Sequence, residues 1–370
     1  MGQTSLMDLL GQISDILVQT ARLGLAGRSQ DVQAYLRQII RQVRKSEPAL
    51  AQQLSELLAR APSALAPLRD FGSTVVPVDA DSRLALAKNE YPVVLPNAPI
   101  LEEALRVKLE QVVQEQSHLA ALEAQGLGPT RSLLFVGPPG VGKTMSARWL
   151  ASLLNRPLIT LDLATVMSSY LGKTGSNIRS VLEYAKSVKS VLLLDEFDAI
   201  AKRRDDEGDV GELKRLVTVI LQEVDDWPST SLLISATNHG ELLDPAIWRR
   251  FDDVLEFRLP SLEQREAALR ELFGDDAASI EAWMPVLNSL WANRSFSDLT
   301  RSVQWIRRRA TITGAGLTEV LVEQVGDELR LCSAEIRKQA AKMLAGAGYS
   351  DRRISDLVGI SRDTIRKGRV

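Results

Sequence analysis

Cysteine and histidine are almost missing from this chain. Cys332 is the only cysteine, and His118 and His239 are the only histidines, among 370 residues. A single thiol cannot form an intrachain disulfide, and so few sulfur and imidazole groups exclude a Cys-based metal cluster and disfavour a histidine site. Long apolar runs are missing too: none approaches the roughly 20 residues of a membrane span. The net charge is only −2, so affinity for nucleic acid or a membrane would have to come from a local patch. The first residues carry Asp8 and Asp15 where a secretory signal would be basic and then apolar. The expected compartment is therefore the cytosol. No Ser/His/Asp set stands in a protease or nuclease context.

What is present is ordinary globular material, 45% apolar and 25% charged, with length for two or three domains. One stretch organises it: Gly137, Pro138, Pro139, Gly140, Val141, Gly142, Lys143 and Thr144, followed by Met145. It lies between the apolar run Leu133–Val136, read as a buried strand, and a helical pattern from Met145 to Leu154. Strand, glycine-rich turn and helix form the context a phosphate-binding loop requires. The glycines let backbone N–H groups curl towards phosphate, and the positive end of the helix adds to that field. Lys143 is placed to reach the β- and γ-phosphates, and the Thr144 hydroxyl to ligate Mg²⁺. ATP and Mg²⁺ are the expected ligands.

Three further stretches follow in order. Val191–Leu194 is an apolar run ending in Asp195 and Glu196; the first suits Mg²⁺, held through water, and the second suits polarising the attacking water. Asp198 reads as structural. Asn238 ends the run Leu232–Thr237, where its amide could bond the γ-phosphate or simply cap a turn. Arg249 and Arg250 precede Phe251; adjacent guanidinium groups suit a transition-state contact to a neighbouring subunit's nucleotide, although surface arginines look the same in isolation. The apolar runs at 133, 158, 191, 232 and 254 alternate with helical patterns, which predicts an α/β fold built on a five-stranded parallel sheet.

This ordered set resembles an AAA+ ATPase of the AAA clade that remodels proteins, over about residues 100–310. The Trp-Arg-Arg-Phe form is closer to the severing and disassembly ATPases, katanin, spastin and their relatives, than to those carrying a Pro-Gly between the arginines. The core is also similar to bacterial AAA ATPases encoded beside a subtilisin-like serine protease in plasmid-incompatibility and phage-defence operons. The resemblance implies a ring, usually a hexamer, in which each site is completed by a neighbour's arginines, with a protease as a possible separate partner. It also implies an axial loop that grips polypeptide, matched by Tyr170, Leu171 and Gly172, though Tyr170 could instead pack on the next helix. Charged residues 203–207 fall where a second axial loop would be. In the lid, the family's Gly-x-Ser-Gly-x-Asp-Leu is matched by Asn293-Arg294-Ser295-Phe296-Ser297-Asp298-Leu299, with both glycines replaced. Arg294 is a weak candidate for the nucleotide.

The expected domain order is an N-terminal three-helix bundle (1–60), a proline-containing linker (61–99) with room for a short strand around 75–78, and the large ATPase domain (100–260), which opens on one helix over 100–124. A helical lid (261–332) and a C-terminal segment (333–370) follow. The bundle resembles in pattern the adaptor modules of some ATPases, or serves packing alone. The last segment reads as a helix-turn-helix, with Gly359 at the turn and Ser361 capping the second helix. It would present Arg362, Thr364, Arg366 and Lys367 to DNA, and it holds nine Lys/Arg against four acids. Such units also dock on proteins. An ATPase switch on DNA is therefore the alternative to a protein remodeller.

Overall fold

Residues 39–40, 51–55, 77, 86–163, 174–199 and 210–367 are described by the computed structural model, with backbone alone at 174, 176 and 210–217. The chain divides into two compact units, Met1–Val75 and Val76–Val370. In the first, residues 39–40 and 51–55 are helical. The expected three-helix bundle otherwise lies outside the described residues, as does most of the segment around 75–78.

All five apolar runs form parallel strands: β2 (Ser132–Val136), β3 (Leu158–Asp162), β4 (Val191–Asp195), β5 (Leu232–Thr237) and β6 (Asp253–Glu256), preceded by β1 (Lys88–Glu90). The sheet has six strands in the order β1-β3-β4-β5-β2-β6. The extra strand, β1, pairs antiparallel with β3 and comes from the segment expected to be linker. The helix expected over 100–124 is two helices, α1 (Glu103–Ser117) and α2 (Leu119–Ala124). They part at His118, whose backbone leaves helical geometry (φ −109°, ψ 27°).

Alternating residues of each central strand serve opposite faces, so both faces must be covered by helices. Leu133, Phe135, Leu193 and Ile234 pack with α1 and with α3 (Lys143–Leu153) through Leu109, Ala147 and Leu150. Leu134, Leu192, Leu194 and Leu233 pack on the other face. There they meet α4 (Thr174–Ser187) and α5 (Val210–Asp225) through Ile178, Leu182, Ile220 and Val224. A four-residue helix, α6 (Pro245–Trp248), precedes β6.

Beyond β6 the chain is helical: α7 (Leu262–Phe273), α8 (Met284–Leu290), α9 (Phe296–Thr313), α10 (Leu317–Leu331), α11 (Ala334–Gly346), α12 (Asp351–Val358) and α13 (Arg362–Lys367), with short turns between. One continuous apolar core runs through these helices, from Ala268 and Trp283 to Ile354 and Ile365. Two buried indoles anchor it: Trp283 donates to the Tyr349 hydroxyl at 2.7 Å and Trp291 to Glu328 at 2.9 Å. Among the described residues, no helix is long and apolar enough to cross a membrane.

Candidate active site

In a parallel sheet the C-terminal ends of the strands form one rim, and the loops leaving them meet there. The loop after β2, the end of β4 and the residue after β5 come together because β5 lies between β4 and β2. The resulting cleft, of about 750 Å³, is lined by Lys143, Thr144, Asp195, Glu196 and Asn238. Pro139, Gly140, Gly142 and Met145 border it as well.

Two glycines of the loop have no substitute. A Cβ on Gly137 (φ 155°) would lie 2.0 Å from the Phe257 carbonyl oxygen. One on Gly140 (φ 77°) would lie 2.5 Å from Ser295 Oγ. The second contact ties the loop to the start of α9, where the Ser297 N–H also donates to the Gly140 carbonyl at 3.1 Å. Gly142, left-handed at φ 102°, opens α3 so that Lys143 and Thr144 begin the helix.

Lys143 is buried, and its ammonium donates to the carbonyl of Pro138 (2.9 Å), that of Gly137, and Oδ1 of Asn238 (2.8 Å). Burial pushes its pKa down to about 8, against the pull of nearby Asp195 and Asp198. Thr144 Oγ1 donates to Asp195 Oδ2 at 3.3 Å. Glu196 follows Asp195 with φ 53°, an uncommon conformation for a residue with a side chain, and its N–H donates to Asp195 Oδ1 at 2.9 Å. Asp198 is buried and accepts from Thr237 Oγ1 (3.0 Å) and the Asn238 N–H (3.3 Å), so it fixes the turn that aims Asn238 at Lys143.

The far wall of the cleft is Phe296, Ser297, Thr300 and Arg301 of α9, none of which the sequence had singled out for this role beyond the matching lid motif. Ser295 and Asp298 of that motif form a reciprocal capping box that starts α9. Arg294 does not reach the cleft. It donates to Ser302 and Glu328 and stacks over Trp291 at 4.7 Å, while Arg301, two turns on, lines the cleft instead. Beyond Val141, on the other side of the loop, lies a hollow of about 620 Å³ in which Ile100, Leu101, Val141 and Phe296 are joined by charged residues such as Glu256 and Arg258.

Arg249 and Arg250 are exposed after α6 and do not line this chain's own cleft. Arg250 pairs with Asp225 at the end of α5. The segment is anchored by Asp252, whose carboxylate accepts from the N–H groups of Arg131 (2.7 Å) and Ser132 (2.9 Å). Phe251 meets Phe197 edge to face, linking it to the turn that carries Glu196. Tyr170, Leu171, Gly172 and residues 203–207 lie outside the described residues.

Residues 133–259 match the AAA family, the ATPase family associated with various cellular activities. The chain is 39% identical over 242 residues to an AAA family ATPase of Sinorhizobium fredii, y4kL, covering 63% of this chain and 71% of that one. It is 33% identical over 216 residues to the proteasome-activating nucleotidase of Aeropyrum pernix, covering 55% of this chain and 53% of that one. To the peroxisomal ATPase pex6 of Schizosaccharomyces pombe it is 33% identical over 177 residues, covering 46% of this chain and 19% of that one. This is a P-loop α/β enzyme that binds and hydrolyses ATP. The chain belongs to the AAA family of ATPases.

The low pKa of Lys143 has a measurable consequence. In the free protein its ammonium loses its proton as pH rises through about 8. A triphosphate beside it favours the charged form, so binding should take up protons above pH 8 and hardly any at pH 7, where the group is already charged. Affinity should fall over the same rise in pH. Calorimetry in buffers of different ionisation heat reads the uptake directly. Binding at pH 9 without proton uptake would contradict it.

Proposed function

We propose that this chain is a ring-forming ATPase that remodels or threads polypeptide, working with a separate effector such as a protease. The observation that carries the reading is the gathering of Lys143, Thr144, Asp195, Glu196 and Asn238 around one cleft whose opposite wall belongs to α9. A nucleotide in that cleft would touch both the sheet and the helical region, so its state can move one against the other. The relatives named for proteasome activation and for peroxisomes support protein as the substrate class.

In this reading the loop from Gly137 to Thr144, flanked by Pro138, Pro139 and Met145, receives the phosphates at the start of α3. Lys143 turns from the loop carbonyls to the β- and γ-phosphates. Thr144 and Asp195 lie together where a divalent cation would sit. Such an ion would be completed by water and phosphate oxygens. When bound, Mg²⁺ neutralises phosphate charge. Glu196 polarises the attacking water, and Asn238 bonds the γ-phosphate from the position Asp198 gives it. The base takes the hollow beyond Val141, with Phe296 as its wall in place of a glycine.

Arg249 and Arg250, outside their own cleft, act on a neighbour's nucleotide, and Tyr170, Leu171 and Gly172 grip the polypeptide at the ring axis. The adjacent arginine pair supports a likeness to the severing and disassembly ATPases. The expected setting is the cytosol.

Mass measurement of Glu196→Gln with and without Mg-ATP tests the reading. Glutamine should halt turnover with nucleotide bound, and about six chains should assemble in ATP. The ring should retain carboxymethylated, unfolded lactalbumin and release it when ATP is removed. A monomer in saturating ATP, or a ring that ignores the unfolded chain, would contradict it.

A further inference from the structure

We propose that the C-terminal helices α11, α12 and α13 form a binding site for duplex DNA, with α13 facing the major groove and the lysines of α11 on the flanking phosphates. The helices have the required order. Gly359, at φ 65°, turns the chain between α12 and α13. Ser361 Oγ accepts the Thr364 N–H at 3.3 Å at the start of α13. Ile354, Leu357 and Ile365 are buried and fix the angle between the helices.

Basic residues here fall into two groups. Arg330 and Arg337 donate to the carbonyls of Asp356 (2.9 Å) and Gly359 (3.4 Å), closing the end of α12. Arg366 pairs with Asp351 at 3.3 Å. Arg330 and Arg337 close the unit, whereas Arg366 remains two-thirds exposed beside Asp351 and is partly neutralised by it. Lys338, Lys342, Arg352, Arg353, Arg362 and Lys367 are exposed, and their side chains make no hydrogen bond or ion pair among the described residues. Lys338 and Lys342, one turn apart on α11, share with Glu335, Thr364 and Lys367 a cleft of about 460 Å³, in which the lysines outnumber the one acid. Its floor includes Ile360 and Ile365.

Two observations favour a polyanion over a protein partner. Every exposed side chain of α13 is polar or charged, and its only apolar residue, Ile365, is buried; a helix that docks on protein exposes apolar anchors. Residues 333–370 carry +5 in a chain of −2, which leaves −7 on residues 1–332. Cations concentrated on one end of an acidic protein are the footprint of phosphate binding. Arg362, Asp363, Thr364 and Lys367 are the exposed residues of α13 outside the Arg366–Asp351 pair, and a major groove admits an α-helix. This site is separate from the nucleotide cleft and does not depend on the ring.

The test is fluorescence anisotropy of the full chain with a short mixed-sequence duplex over a series of salt concentrations. Affinity should fall linearly on a double-logarithmic plot. Lys338→Ala with Lys342→Ala should weaken binding about tenfold and lower the salt slope by about two, and Lys367→Ala should lower it by about one. ATP turnover in these variants should stay at the wild-type rate, which also reports folding. A charge-matched pair elsewhere, Lys88→Ala with Arg308→Ala, should leave the slope unchanged. Absence of salt-dependent duplex binding, or a slope indifferent to the lysines, overturns the proposal. So does capture of a polyglutamate peptide by the same lysines while the duplex stays free.

Discussion

Glu196→Gln is expected to bind ATP as tightly as the unaltered chain and to hydrolyse it about 10²- to 10⁴-fold more slowly, the range for loss of a general base. The amide has the size and reach of the carboxylate but cannot accept a proton from water. The phosphate contacts are elsewhere: Lys143 and Thr144 start α3, and neither depends on the Glu196 side chain in the hydrogen bonds they make. Backbone strain is also unaffected. The residue holds φ 53° through its own N–H to Asp195, and glutamine keeps that N–H. Phosphate release measured beside titration with a fluorescent ATP analogue separates the two effects. Turnover at the normal rate would remove Glu196 from the chemistry.

Arg249→Ala and Arg250→Ala should each lose about 10³-fold or more of turnover, the scale of an arginine contact to a transferring phosphoryl group. The loss should come with little change in stability. Both side chains are exposed, and the Arg250–Asp225 pair is a surface ion pair, worth at most about 1 kcal/mol. An effect this large from residues outside their own cleft requires a second chain. If they were merely surface arginines, turnover would change by little.

How legible these features were in the sequence depended on how local their physics is. The phosphate loop is contiguous, and its glycines are demanded by contacts within a few ångströms, so Gly137 to Thr144 announced themselves. β2, β3, β4 and β5 did too, because a strand covered on both faces is largely apolar, whereas β6, at the sheet edge, shows only Val254 and Leu255 between two acids. β1 gave no such signal. Lys88, Asn89 and Glu90 form a polar edge, and pairing with β3 makes them a strand. The break at His118 was hidden for a similar reason, since the apolar spacing runs on across it. Hardest to read was the wall of the cleft. Phe296 and Arg301 lie over 150 residues from the loop, and the packing of the helical region decides which of them faces it. The motif drew attention to Arg294, but Trp291 and Glu328 hold that half-buried side chain away from the cleft. Asp198 differs from the acids that face the cleft in being buried and in accepting from Thr237 and Asn238.

The central claim is that each hydrolytic site is made by two copies of this chain. Turnover in mixtures of two inactive variants, Lys143→Ala and Arg250→Ala, tests it most directly. The first keeps its arginines and lacks a working phosphate site; the second has the reverse. Each should be inactive alone. Mixed rings should regain hydrolysis wherever an intact cleft meets an intact arginine, with activity greatest at intermediate ratios. If the two variants assemble together and stay inactive at every ratio, or if Arg250→Ala alone turns over ATP normally, the site belongs to one chain and the account is wrong.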